Sequence, residues 1–210
     1  MSPQRARRPS RPALAVFCSG QGTNLQAIIN AIRNGRLHAR IAFVVTDRAD
    51  AKALGRATRA GIEARYVDPR QYPTRAGYER ALLSLLDQRR VELVCLAGFM
   101  RILSPAFIGH FPQRIVNIHP TLLPAFPGAH AVRDTLAWGA KITGVTVHLV
   151  DEHVDHGPIL LQKAVVISAQ ETETSLLAKL HRIEHRLYPQ AIRLLLEGRV
   201  AIVGRATHLR

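Results

Sequence analysis

The chain has 210 residues, 47% of them apolar, a formal net charge of +14 and only two cysteines. That length suits one domain, or two tightly joined halves, with room for a sizeable core. The composition excludes a disulfide-stapled scaffold, and no apolar run approaches the ~20 residues of a membrane-spanning helix.

Residues 1–12 are rich in Arg, Pro and Ser and read as a disordered basic tail. The apolar stretch behind them is short and runs into Ser19-Gly20-Gln21-Gly22, so no secretory leader is expected. Residues 13–18 form a buried-strand pattern, followed by the glycines and an apolar-periodic helix over 24–33. A strand is predicted over 40–46, a helix over 51–60 closed by Gly61, and a short strand over 63–67. Residues 74–89 read as an amphipathic helix, with Tyr78, Leu82, Leu85 and Leu86 on one side. Strands follow over 93–97 and 114–118. The loop 120–128 holds too many prolines for regular structure. A short helix over 132–138, strands over 143–150 and 159–167, and a long helix over 174–197 complete the reading.

Strands alternate with helices, which predicts an α/β fold with a mainly parallel sheet. Residues 13–210 are expected to be one domain, with a nucleotide-binding half over 13–112 and a catalytic half over 113–210. Cys18 and Cys95 each sit inside an apolar run and read as small buried hydrophobes in a reducing, cytoplasmic setting. The positive charge invites a nucleic-acid reading. Its distribution argues otherwise: Arg5, Arg7, Arg8 and Arg11 crowd the tail, the rest is scattered, and only 5% of residues are aromatic.

Three segments carry candidate chemistry. Ser19-Gly20-Gln21-Gly22-Thr23-Asn24 joins a strand to a helix. Backbone amides at such a helix start suit a single phosphate group, although glycine turns of this kind often merely connect elements. The segment lacks the third glycine of the dinucleotide fingerprint and the lysine of a P-loop. Asn117 and His119 lie two apart at a strand end, so their side chains share a face. They are either a hydrogen-bond donor and proton carrier, or core residues satisfied by backbone. Asp155 lies in Asp151-Glu152-His153-Val154-Asp155-His156-Gly157-Pro158, an acidic turn that is either solvated or faces His119. A hard-cation loop would want more carboxylates at alternate positions, so no metal site is expected. His148, in an alternating strand, reads as a satisfied structural histidine. Asn, His and Asp together can stabilise a developing oxyanion and move a proton. An anionic Asp155 beside His119 would raise the His119 pKa.

On these residues the chain resembles the phosphoribosylglycinamide formyltransferases, folate-dependent enzymes of purine synthesis. The similar stretches are residues 19–28, Leu96-Ala97-Gly98-Phe99-Met100-Arg101-Ile102-Leu103-Ser104-Pro105, the 117–128 segment with Asn117-Ile118-His119-Pro120, and the 151–158 loop. The resemblance implies a Rossmann-like formyltransferase fold with helices on both sheet faces. It implies Asn117, His119 and Asp155 as catalytic residues, and Gly22, Thr23, Asn24 and Glu184 as ribonucleotide ligands. For the folate it implies Arg75, Met100, Arg101, Ile102 and Leu103, the loop Asp151, Glu152, His153, Val154 and Asp155, and Asn117. The implied substrates are glycinamide ribonucleotide and 10-formyltetrahydrofolate, with no metal, nucleic-acid or membrane partner, in a monomer or homodimer. Three positions depart from the family pattern. Gln21 stands where Asn is usual, Thr23 where Ser is usual, and His156 replaces the first glycine of Asp-Gly-Gly-Pro. Methionyl-tRNA formyltransferases, with an extra C-terminal domain, fit less well. So do formyltetrahydrofolate deformylases, with an extra N-terminal domain. The alternative functions are 10-formyltetrahydrofolate hydrolysis, or nucleic-acid binding on an inactive version of the fold.

Overall fold

A computed structural model describes residues 11–210. The expected basic tail falls almost wholly on residues 1–10, outside the described part. Seven strands form one sheet in the order β3-β2-β1-β4-β5-β6-β7. They are β1 (Ala13–Phe17), β2 (Arg40–Thr46), β3 (Ala64–Tyr66), β4 (Leu93–Leu96), β5 (Ile115–His119), β6 (Ile142–Leu149) and β7 (Ile159–Val166). The first five run parallel, while β6 and β7 are antiparallel to their neighbours. The α/β, mainly parallel expectation is met.

Helices cover both faces because β1 is buried on both. Its Leu14 and Val16 pack into one cluster with α1 (Thr23–Arg33), α2 (Lys52–Arg59), α5 (Ala131–Ala137) and α6 (Glu173–Leu196). The alternate residues Ala15 and Phe17 face a second cluster with α3 (Arg75–Gln88) and α4 (Pro105–His110). Period-two alternation thus divides a continuous apolar run between two cores. α4 lies in a stretch without a sequence prediction. Ser104 caps it by accepting from the Phe107 N–H, and Pro105 opens it.

α6 runs through Pro189, as the predicted 174–197 helix requires. The hydroxyl of Tyr188 donates to the Leu96 carbonyl at 2.7 Å and lies 3.0 Å from the Val116 carbonyl. This fastens α6 across β4 and β5 just before Asn117. After α6 comes a hairpin that the sequence reading left out, β8 (Val200–Val203) and β9 (Ala206–Leu209). It reaches back to β7, where Thr207 Oγ1 donates to the Ile159 carbonyl at 2.5 Å. Among the described residues no helix is long and apolar enough to cross a membrane.

Candidate active site

A cavity of about 600 Å³ opens where the parallel strands end, the place where open α/β sheets gather ligands. β1 delivers the glycine turn to it, β4 the strip 100–103, β5 Asn117 and His119, and the β6–β7 loop residues 151–155. α6 adds Glu184. Every catalytic or ligand residue implied by the resemblance lines this cavity except Arg75. Arg75 instead donates to Glu79 at 3.0 Å and to the Ile102 carbonyl at 2.7 Å, bracing the strip from behind.

The glycine turn is shaped by Gly22, which holds φ +68°. A Cβ there would stand 2.9 Å from the Ala53 backbone, so both conformation and space demand glycine. Asn24 then projects from the first turn of α1 and donates to Glu184 Oε2 at 2.9 Å. Asn24 Oδ1 is buried with no partner, an acceptor waiting for a donor. Burial raises the Glu184 pKa, against the pull of the Asn24 hydrogen bond.

At the other end, Asn117, His119 and Asp155 come together although Asp155 lies 38 residues after Asn117. Asp155 Oδ2 lies 3.2 Å from His119 Nδ1, and its Oδ1 accepts from Asn117 Nδ2 at 3.2 Å. Gly128 N–H donates to Oδ2 at 2.8 Å. His119 Nε2 meets the Phe126 carbonyl at 2.9 Å. The proline-rich loop that supplies Phe126 and Gly128 is itself pinned to the sheet. Leu123 N–H donates to Thr146 Oγ1 at 3.0 Å, and Gln162 donates to the Leu123 carbonyl at 2.9 Å.

Burial pushes the Asp155 carboxyl up. Contacts from His148, the His119 ring and the Gly128 N–H outweigh that push and hold its pKa below the ordinary carboxylate range. For His119 the balance goes the other way, which corrects the sequence expectation. Burial lowers its pKa, and the Asp155 charge and Phe126 carbonyl do not offset it. The ring is only 4% exposed, so desolvation of an imidazolium outweighs one anion.

Two participants escaped the sequence reading. His148 pairs with Asn117 across β5 and β6, and its Nε2 lies 3.2 Å from Asn117 Nδ2. Its Nδ1 meets the Leu149 carbonyl at 2.7 Å, so Nδ1 carries a proton, and its Nε2 also lies 3.6 Å from Asp155 Oδ1. Only cross-strand register could have shown this. Ser19 Oγ accepts from the Met100 N–H at 2.9 Å and donates to Asp47 at 2.6 Å, tying the glycine turn to the strip. The loop bearing Asp155 also answers what His156 does to it. Asp155, not His156, takes the left-handed backbone, at φ +50°. The following Gly157 is the residue that cannot vary, since a Cβ there would stand 2.0 Å from the Leu149 carbonyl oxygen.

The sequence profile described as formyl transferase matches residues 13–192. The chain belongs to the formyl transferase family. Phosphoribosylglycinamide formyltransferase of Bacillus subtilis is 40% identical over 182 residues, 87% of this chain and 93% of that protein. The glycinamide ribonucleotide transformylase 1 structure from Symbiobacterium toebii superimposes with a TM-score of 0.94 at 46% identity, covering 100% of this chain and 99% of that one. The trifunctional purine biosynthetic protein adenosine-3 of Gallus gallus is 43% identical over 189 residues, 90% of this chain. There the chain spans only 19% of the relative's length.

Proposed function

We propose that this formyl transferase moves the formyl group of 10-formyltetrahydrofolate to the amine of glycinamide ribonucleotide, a step of purine biosynthesis. The observation that carries this reading is the meeting of Asn117, His119 and Asp155 on the wall of one cavity that the α1 start and the strip 100–103 also line. In this reading the two anionic substrates lie end to end in the cavity. The backbone amides of residues 22–24 take the phosphate, and the unpartnered Asn24 Oδ1 and Glu184 take hydroxyl or amide donors of the nucleotide. Residues 100–103 and the 151–155 loop take the folate, with Arg75 acting through the Ile102 carbonyl.

The reaction forms a bond from the amine nitrogen to the formyl carbon, breaks the bond from that carbon to the folate nitrogen, and moves one proton from the first nitrogen to the second. Asn117 is the donor to the formyl oxygen as negative charge grows on it, exchanging one of its present contacts to Asp155 or His148 for that oxygen. His119, neutral by its burial, keeps its Nδ1 proton toward Asp155 and exchanges the Nε2 contact with the Phe126 carbonyl for the amine, whose proton it accepts and passes to the departing nitrogen. Asp155 steadies the imidazolium formed in passing. The Gly128 bond keeps the carboxylate aimed at the ring. The rest of the acceleration comes from holding the two reacting atoms together.

The test is to mix purified protein with both substrates and follow the folate product by absorbance. Transfer that depends on the ribonucleotide is expected. Formate release that is equally fast without the ribonucleotide would support the hydrolase reading instead.

A further inference from the structure

The β6–β7 loop, proposed above to meet the folate, also carries a cluster of side chains to which the transfer assigns no chemical step. Asp151 Oδ1 accepts from the His153 N–H at 3.0 Å, which folds the loop so that both side chains lie near each other. His156 Nδ1 comes within 2.8 Å of Asp151 Oδ2, and the His153 and His156 rings stand 5.0 Å apart. One donor atom from each of the three lies within 4.8 Å of the other two. The His156 side chain is 51% exposed and that of Asp151 32%, so the group is open to solvent.

Two imidazole nitrogens and one carboxylate oxygen, with room for water as a fourth ligand, are the donor set of a zinc-class ion. Calcium and magnesium would want oxygens throughout. Zinc would draw its donors to roughly 2.0–2.2 Å from the metal, which rotation of two exposed rings allows. The expectation of no metal site rested on the number of carboxylates, and two of these three donors are histidines. One cation already competes for the place. Arg205, from the turn of the C-terminal hairpin, sets its Nη1 3.0 Å from both ring nitrogens of His156, and its Nη2 donates to the His156 carbonyl at 2.5 Å. A metal ion must displace the ring contact but can leave the carbonyl contact in place.

We propose that Asp151, His153 and His156 bind one divalent transition-metal ion of the zinc class, in competition with Arg205. Asp151 and His153 line the cavity, while His156 does not. The ion is therefore held at the cavity's rim, on the same loop as Asp155, and takes no part in the transfer chemistry. Its effect is to trade one fastening of that loop, to the hairpin, for another within the loop itself.

The experiment titrates metal-stripped full-length protein with Zn²⁺ by calorimetry and with Co²⁺ by visible absorbance, with circular dichroism to check folding. One equivalent is expected to bind, with a tetrahedral cobalt spectrum. His153→Ala and His156→Gly should each weaken binding by roughly tenfold or more, and Arg205→Ala should tighten it. No saturable binding, or the same affinity in both histidine variants, would overturn the site. Weaker binding in a folded Arg205→Ala would overturn the competition.

Discussion

The Gly128 N–H donates to Asp155 Oδ2 at 2.8 Å, so one carboxylate joins the loop after β5 to the loop after β6 while also facing His119. Asn at position 155 keeps the size but has a single acceptor for three neighbours. Asp155→Asn should lower turnover on the order of 100-fold or more. Ribonucleotide affinity, read by calorimetry, should barely change, because that end of the cavity is built by residues 22–24 and 184. Near-normal turnover would remove Asp155 from the mechanism.

The pH dependence follows from the lowered His119 pKa. His119 accepts a proton only when neutral, so turnover should be level at neutral pH and fall as pH drops through a value below the ordinary ~6.5. Removing the Asp155 anion takes away an upward pull, so the acid limb of Asp155→Asn should lie at still lower pH. An acid limb that moves upward in the variant would contradict this assignment. The same shift weakens the fold in acid. The unfolded chain takes up the proton first, so this residue's contribution to stability declines as pH falls below about 6.5.

Glu184 titrates with the opposite consequence, because burial raises its pKa. Between the ordinary glutamate value and the raised one, the native state binds more protons than the unfolded chain. Stability therefore falls as pH rises through that window. Glu184→Gln keeps an acceptor for Asn24 and removes the buried charge. Its melting temperature should vary less than the parent's as pH rises above the ordinary glutamate value, and match or exceed it at the upper end. Ribonucleotide binding should weaken in the same variant. A parent-like pH slope in the melting data would rule out Glu184 as its source.

Gly157→Ala tests the close approach to Leu149. The added Cβ would meet the Leu149 carbonyl oxygen at 2.0 Å. The loop must move, costing about 1–3 kcal/mol in denaturant unfolding and displacing Asp155. Turnover should fall with it. Gly109→Ala, where a Cβ meets nothing within 4 Å, is the control and should leave stability unchanged or higher.

Most of the sheet was legible because each strand is a compact apolar run and each helix shows its own period. α4 was missed despite Ser104-Pro105, a readable start, because the helix is only six residues long. The hairpin of β8 and β9 is half exposed, so it carries little apolar pattern. The reversal of β6, which makes its pairings with β5 and β7 antiparallel, leaves no trace in composition. In the site, the meeting of Asn117 and His119 followed from strand alternation alone. The entry of His148 did not, since it depends on which residue of β6 lies opposite Asn117. The charge beside His119 was readable from residue types, but the dryness around its ring was not, and dryness decides its protonation.

Along α6, residues 177, 181 and 184 face the cavity, and Tyr188, one turn further on, grips the carbonyls of Leu96 and Val116. At roughly 1.5 Å per residue, Glu184 and Tyr188 are fixed about 6 Å apart along a single rod. The end of the cavity assigned to the nucleotide and the strand that bears Asn117 are therefore measured from the same ruler. A substitution that slides or rolls this helix would leave each pocket intact and change the gap between the two reactants. Such damage is an error of alignment, and it would surface in turnover while both binding constants still looked normal.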